Sequence, residues 1–208
     1  MKKFMNCISK GNYIKPFILA RGHFRPRDLF ITISDSNRKI DPPIEEQLDG
    51  LWKKMKKVAK RKGQLIYNGL LYRLNFLNFK KGKLYINLGI SDFKTSECLA
   101  KARGYYGLGE EYWRKGCHTL ATVKTLDNKY LLVELSGKSI NDNKVDFLGG
   151  AMEAELATKS GKDIFNYLYK ELWEEGFIRR GDIADSFLNM IYITPSTNVG
   201  FYFVVSLK

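Results

Sequence analysis

The sequence predicts a mixed α/β protein, and three observations carry that reading. Two amphipathic helical patterns occur, one beginning after Asp41 and one over residues 163–175. Short β-branched and aromatic runs stand between turn residues on either side of them. An apolar run ends in Gly149-Gly150 ahead of the second helix. A chain of 208 residues, 44% hydrophobic and 13% aromatic, can bury a core as one large domain or two small ones.

Taken in order, residues 16–20 and 28–34 predict short strands around a basic loop, 21–27. Asp41 suits a helix N-cap and Pro42 a first turn. Ile44, Leu48, Leu51, Trp52, Met55 and Val58 then form an apolar stripe. Lys53, Lys54, Lys56, Lys57, Lys60, Arg61 and Lys62 are its wet face. Residues 64–67, 70–79 and 84–88 predict strands, with Lys80-Lys81-Gly82 as a hairpin turn, and 95–103 a helix. The glycine-rich stretch 104–109 lacks the Gly-x-x-x-x-Gly-Lys-Ser/Thr pattern, so it reads as a connection and not as a phosphate loop. Residues 118–126 and 130–135 predict paired strands about an Asp127-Asn128 turn, and 188–194 with 200–207 a final pair.

The helix over 163–175 is the informative element. Asp163 serves as N-cap or first-turn acid, and Ile164, Phe165, Leu168 and Leu172 share one face. Glu171, Glu174 and Glu175 fall at i, i+3 and i+4, on one side of a turn. With roughly 100° per residue, Glu175 lies about 60° from Leu172, Glu171 is on the same flank, and Glu174 is turned toward solvent. Like charges at this spacing repel, and acids at a helix C-terminus oppose its dipole. A hard divalent cation, Mg²⁺ or Mn²⁺, relieves both costs through oxygen ligands. Gly149-Gly150 upstream lets a backbone approach a ligand closely. The combination points to metal-assisted phosphate chemistry.

Lys170-Glu171-Leu172-Trp173-Glu174-Glu175-Gly176-Phe177-Ile178 resembles the end of the box of the Nudix hydrolases, Arg-Glu-apolar-x-Glu-Glu-x-Gly-apolar. Lys170 replaces the arginine, and Phe177 stands where glycine is usual, with Gly176 one residue early. Leu148-Gly149-Gly150 resembles the family's Pro-Gly-Gly. The intervening loop is longer than the standard box, so the loop glutamate falls to Glu153 or Glu155. The N-terminal half, through Ile44-Glu45-Glu46, Tyr67-Asn68-Gly69, Tyr72-Arg73-Leu74 and residues 88–93, is similar to the leader of UDP-glucose pyrophosphatase-like members.

The resemblance implies an α/β/α sandwich with a mixed sheet over residues 113–208, preceded by a small α+β domain over 1–112. It implies a divalent-metal-dependent pyrophosphohydrolase acting on a nucleoside diphosphate linked to another moiety, such as a UDP-sugar. Glu171, Glu174 and Glu175 would hold the Mg²⁺ or Mn²⁺ with the Gly150 carbonyl, and a helix glutamate, Glu153 or Glu155 would take the water proton. Lys170 would orient Glu171, and Gly149 and Gly150 would meet substrate; Arg73, Arg21, Arg25 and Arg27 are candidate phosphate contacts on charge alone. Nudix domains usually continue beyond the last strand pair, so this one is expected to be shortened, with Asp182 or Asp185 as its downstream acid. Family members often pair, so a homodimer is compatible.

Other features bound these expectations. Cys7, Cys98 and Cys117 show no Cys-x-x-Cys spacing, which suits a reducing compartment, and His23 and His118 are too isolated for a zinc site. No membrane span or good signal peptide is legible, so a cytoplasmic location is expected. The formal charge of +13 draws in polyanions. It keeps open an alternative, a non-catalytic nucleotide- or RNA-binding protein, since residues 72–88 interleave aromatic and basic side chains.

Overall fold

A computed structural model describes residues 15–34, 40–101, 115–134, 145–154 and 160–208. In chain order these form β1 (Phe17–Phe24), β2 (Leu29–Ile33), α1 (Pro42–Arg61), β3 (Leu70–Lys80), β4 (Lys83–Asp92) and α2 (Phe93–Lys101). There follow β5 (Cys117–Lys124), β6 (Tyr130–Leu131), β7 (Val133–Glu134), β8 (Val145–Asp146), α3 (Gly161–Gly176), β9 (Ile183–Ile193) and β10 (Val199–Leu207). The protein is mixed α/β.

One sheet has the order β1-β9-β10-β5-β6, with β10 and β5 parallel and the other pairs antiparallel. A second has the order β2-β4-β3, in which β2 runs parallel to β4. Alternation drives the first: Val199, Phe201, Phe203 and Val205 of β10 are fully buried, as are Thr119, Ala121 and Val123 of β5. Ile164, Phe165, Leu168 and Leu172 of α3 join the same core, with the Phe165 ring edge-on to Phe203 at 5.1 Å. Each such buried side chain contributes on the order of 2 kcal/mol. That core also includes Leu84, Ile86 and Leu88 of β4, so residues from both sides of position 112 share it. A smaller cluster joins Leu48 and Trp52 of α1 to Cys98 and Leu99 of α2.

The segment after the expected Gly-Gly strand end stitches the two sheets together. On one edge, Ala121 and Thr119 donate to the carbonyls of Leu148 and Gly150 (2.8 and 2.9 Å), and Met152 donates to Cys117 (2.9 Å). On the other, Tyr72 donates to Met152 and Ala154 to Leu70, both at 2.9 Å.

Several expectations are corrected. Residues 64–67 form no strand: Gly63, at φ +68, turns the chain out of α1, and Leu65 is left 96% exposed with no ladder partner. The basic loop begins later than expected, because Arg21 continues β1 opposite Met190 and only a 3₁₀ turn at Pro26–Asp28 follows. α2 starts at Phe93, β9 starts at Ile183, and Leu132 interrupts the expected 130–135 strand. Only Val145–Asp146 of the 145–150 run is a strand, with Leu148 bridging Ala121 alone. Ser160 is the N-cap of α3, and Asp163 accepts its amide at 2.9 Å and its hydroxyl at 3.0 Å. The hairpin turn is as expected, Lys81 and Gly82 both taking positive φ (50° and 74°). The 104–109 connection, the 112/113 boundary, Cys7 and Glu155 lie outside the described residues.

Candidate functional site at the end of α3

α3 stops directly after its carboxylates. Phe177 adopts the left-handed conformation (φ 52°, ψ 23°), its amide bonds Trp173 O, and the Ile178 amide bonds Leu172 O, both at 3.1 Å. This is a Schellman-type end, built on a residue other than glycine. It places the last turn of α3 over the joining segment, with the Leu148 side chain against Gly176.

Glu171 is the buried member of the acid trio, 8% exposed. A Cβ on Gly150 would lie 2.4 Å from its Oε2, so the carboxylate rests on the bare glycine. Among the described residues its one polar contact is Lys170 Nζ at 3.9 Å, too long for a hydrogen bond. Burial pushes its pKa up to about 7; Lys170 opposes the rise, and Glu175, Glu174 and Glu153 add to it. Glu175 is half-buried beside it. Desolvation raises its pKa as well, although the Gly149 amide, donating at 2.8 Å, holds the charge partly in place. Glu174 points outward, its side chain 50% exposed.

Lys170 sits at the hub. Its ammonium lies 3.3 Å from Glu174 Oε2 and 3.3 Å from Glu153 Oε2. Burial works against that charge, yet the hydrogen bond to Glu174 and the fields of Glu171 and Glu153 prevail and raise its pKa. The contact expected of Lys170, with Glu171, is therefore the longest of its three. The i,i+4 spacing to Glu174 signalled this alternative; the contact with Glu153 had no local signal. Glu153 also accepts a long hydrogen bond from the Tyr67 hydroxyl (3.4 Å). Beside it opens a cavity of about 250 Å³ walled by Leu65, Tyr67, Leu70 and Phe93. Tyr67, part of an expected strand, was not foreseen here.

The remaining expected residues are placed differently. The Gly150 carbonyl, expected as a metal ligand, accepts the Thr119 amide at 2.9 Å and so is directed into the β5 ladder. Arg73 stands on β3 opposite Gly89, and burial lowers its pKa. Arg25 pairs with Asp185 and donates to Ser186 O (2.7 Å), which occupies one of the two candidate downstream acids. The other, Asp182, accepts the Arg179 amide at 2.8 Å in a 3₁₀ turn.

Three carboxylates, Glu153, Glu171 and Glu174, thus face one ammonium, and Glu175 is held by the Gly149 amide. Among the described residues no three acids, histidines or cysteines converge on a single point. The donor set nevertheless suits a hard cation, since all its oxygens are carboxylate and Glu171 is buried without a hydrogen bond among the described residues. No helix among the described residues is long and apolar enough to cross a membrane. No family model matches the chain, and no curated protein matches it.

Proposed function

We propose that this chain is a divalent-metal-dependent pyrophosphohydrolase of the Nudix type, cleaving a nucleoside diphosphate linked to another moiety such as a sugar. The observation that carries the reading is Glu171: a desolvated carboxylate, raised to about pKa 7, lying on Gly150 with Glu175 beside it. Burying such a group costs several kcal/mol unless a cation compensates. The order of hairpin, Gly-Gly segment and helix, and the packing of α3 in the core of the mixed sheet, support a Nudix-type sandwich.

Glu171 and Glu175 would hold Mg²⁺ or Mn²⁺, joined by Glu174 once Lys170 turns toward solvent. When bound, the ion neutralises diphosphate charge and acidifies a water. Glu153, in contact with Lys170 at the edge of the site, would take the water proton. The Gly149 amide fixes Glu175, and a displaced Lys170, already 34% exposed, would meet a phosphate oxygen as a point charge. The cavity beside Glu153 offers an apolar wall to the organic part of the substrate. Buried, unpaired Cys98 and Cys117 support a reducing, cytoplasmic setting.

The test is UMP release from a panel of nucleotide sugars with Mg²⁺ or Mn²⁺. Wild type should turn over at least one, and Glu174→Gln and Glu175→Gln should lose most of that rate. An inert wild type, or variants at full rate, removes the hydrolase reading. Lys170 favours a second reading, because its ammonium already neutralises Glu153 and Glu174. In that reading the site is a non-catalytic nucleotide- or RNA-binding module, and titration with Mn²⁺ shows no uptake.

A further inference from the structure

The open face of the β2-β4-β3 sheet carries side chains that the core does not use. Alternation sends Leu29, Ile31, Leu84, Ile86 and Leu88 inward, and Phe30, Thr32, Tyr85 and Asn87 outward. A bulge after Leu74 adds Phe76 and Asn78 of β3 to the same outer rows, opposite Asn87 and Tyr85. Phe30, Tyr85 and Phe76 are 41%, 39% and 57% exposed. Phe30 and Tyr85 stack with centroids 5.0 Å apart and planes 17° from parallel, and the Lys83 ammonium lies 5.0 Å over the Phe30 ring. Between the rings the polar side chains hold one another: Asn75 donates to Asn87 (2.8 Å) and Ser34 (2.7 Å), and Asn87 donates to Thr32 (2.9 Å).

The surroundings are positive. Along the edge strand β2 runs an open trough of about 1020 Å³ with Phe30 and Tyr85 in its wall. Arg27 and Lys162 line it together with Arg25, whose charge Asp185 balances. At the same end of the strands, where Leu29 pairs with Leu84, Lys80, Lys81 and Lys83 of the β3–β4 turn are exposed.

We infer that this face binds single-stranded RNA. Rings on a rigid, solvated sheet take unpaired bases, and flanking cations follow the phosphates. A bilayer would strip water from the exposed Asn78 amide without replacing its hydrogen bonds, and a duplex hides its bases from the rings. The exposed Asn78 amide and Thr32 hydroxyl beside the rings suit a 2′-hydroxyl, which favours RNA over DNA. The inference is independent of what the carboxylates of α3 do.

The experiment is fluorescence anisotropy of the full chain with a labelled uridine oligomer of about 12 nucleotides, enough for several stacked bases. Matching DNA, duplex RNA and phosphatidylserine vesicles are the other arms. Single-stranded RNA should bind tightest, with affinity falling as salt rises. Tyr85→Ala and Phe76→Ala should each weaken it about tenfold. Lys83→Gln should reduce the log–log salt slope by about one. Tyr85→Leu keeps apolar bulk without the ring and should lose affinity like the alanine variant, which covers any loss of folding in the latter. The inference is overturned if wild type does not bind, if the ring variants bind like wild type, or if duplex, DNA or vesicles bind as tightly.

Discussion

The Glu171 carboxylate occupies the space that a side chain at Gly150 would need: a Cβ there would sit 2.4 Å from Oε2. A helix end and a sheet-joining strand therefore meet through one acid and one absent side chain. The neighbouring glycine serves differently, since a Cβ on Gly149 would lie 2.0 Å from the Thr119 carbonyl oxygen, with φ at +154°.

These two glycines should respond differently to alanine. Gly150→Ala displaces a side-chain end and should cost about 1–2 kcal/mol while abolishing Mn²⁺ uptake. Gly149→Ala drives into backbone and should cost about 3 kcal/mol or more. Urea unfolding of both variants measures the difference, and equal costs would contradict the geometry.

The pKa of Glu171 couples stability to pH. Its folded value, about 7, exceeds the ordinary 4.5, so the folded state holds the proton more tightly than the unfolded chain. This contribution is complete below pH 4.5 and is lost as pH rises through about 7. Glu171→Gln should flatten that fall and stabilise the metal-free protein at pH 8 by on the order of 3 kcal/mol. Urea midpoints at pH 5 and pH 8 are the measurement, and Mn²⁺ should narrow the gap for wild type alone.

Lys170→Met keeps the aliphatic stem and removes the ammonium. With Glu153, Glu171 and Glu174 left unbalanced, the metal-free protein should lose about 1 kcal/mol, a figure already reduced for the solvent that reaches this site. Added Mn²⁺ should then raise its melting temperature more than that of wild type. Thermal scans with and without the ion read both effects.

Phe177 is 77% exposed and left-handed, and among the described residues its ring meets the Trp173 ring alone, edge-on at 6.0 Å. Phe177→Gly should therefore stabilise the protein by about 1 kcal/mol, the strain of that conformation outweighing the lost contact. A fall in the urea midpoint would show that the contact matters more.

Much of α3 was legible because helical phase is a local property. The wheel places Glu171 and Glu175 at the border of the stripe and Glu174 outside it, and the burial order follows. The pairing of β1 with β9, and of residues 152–154 with β3, joins positions far apart and leaves no local mark. Residues 72–88 interleave aromatic and basic side chains, and the sequence does not mark which of the aromatics are core. Tyr72 is, but the bulge after Leu74 turns Phe76 to solvent, and a bulge is invisible in a run of alternating residues. Lys170 was assigned to its neighbour Glu171, whereas the fold brings Glu153 to it from another element.

The strip from Leu148 to Ala154 is bonded along both edges, to β5 and to β3. Gly149 and Gly150 are thus rivets of that strip, whatever the carboxylates beside them do: their bare backbones let it lie against β5 and under the end of α3.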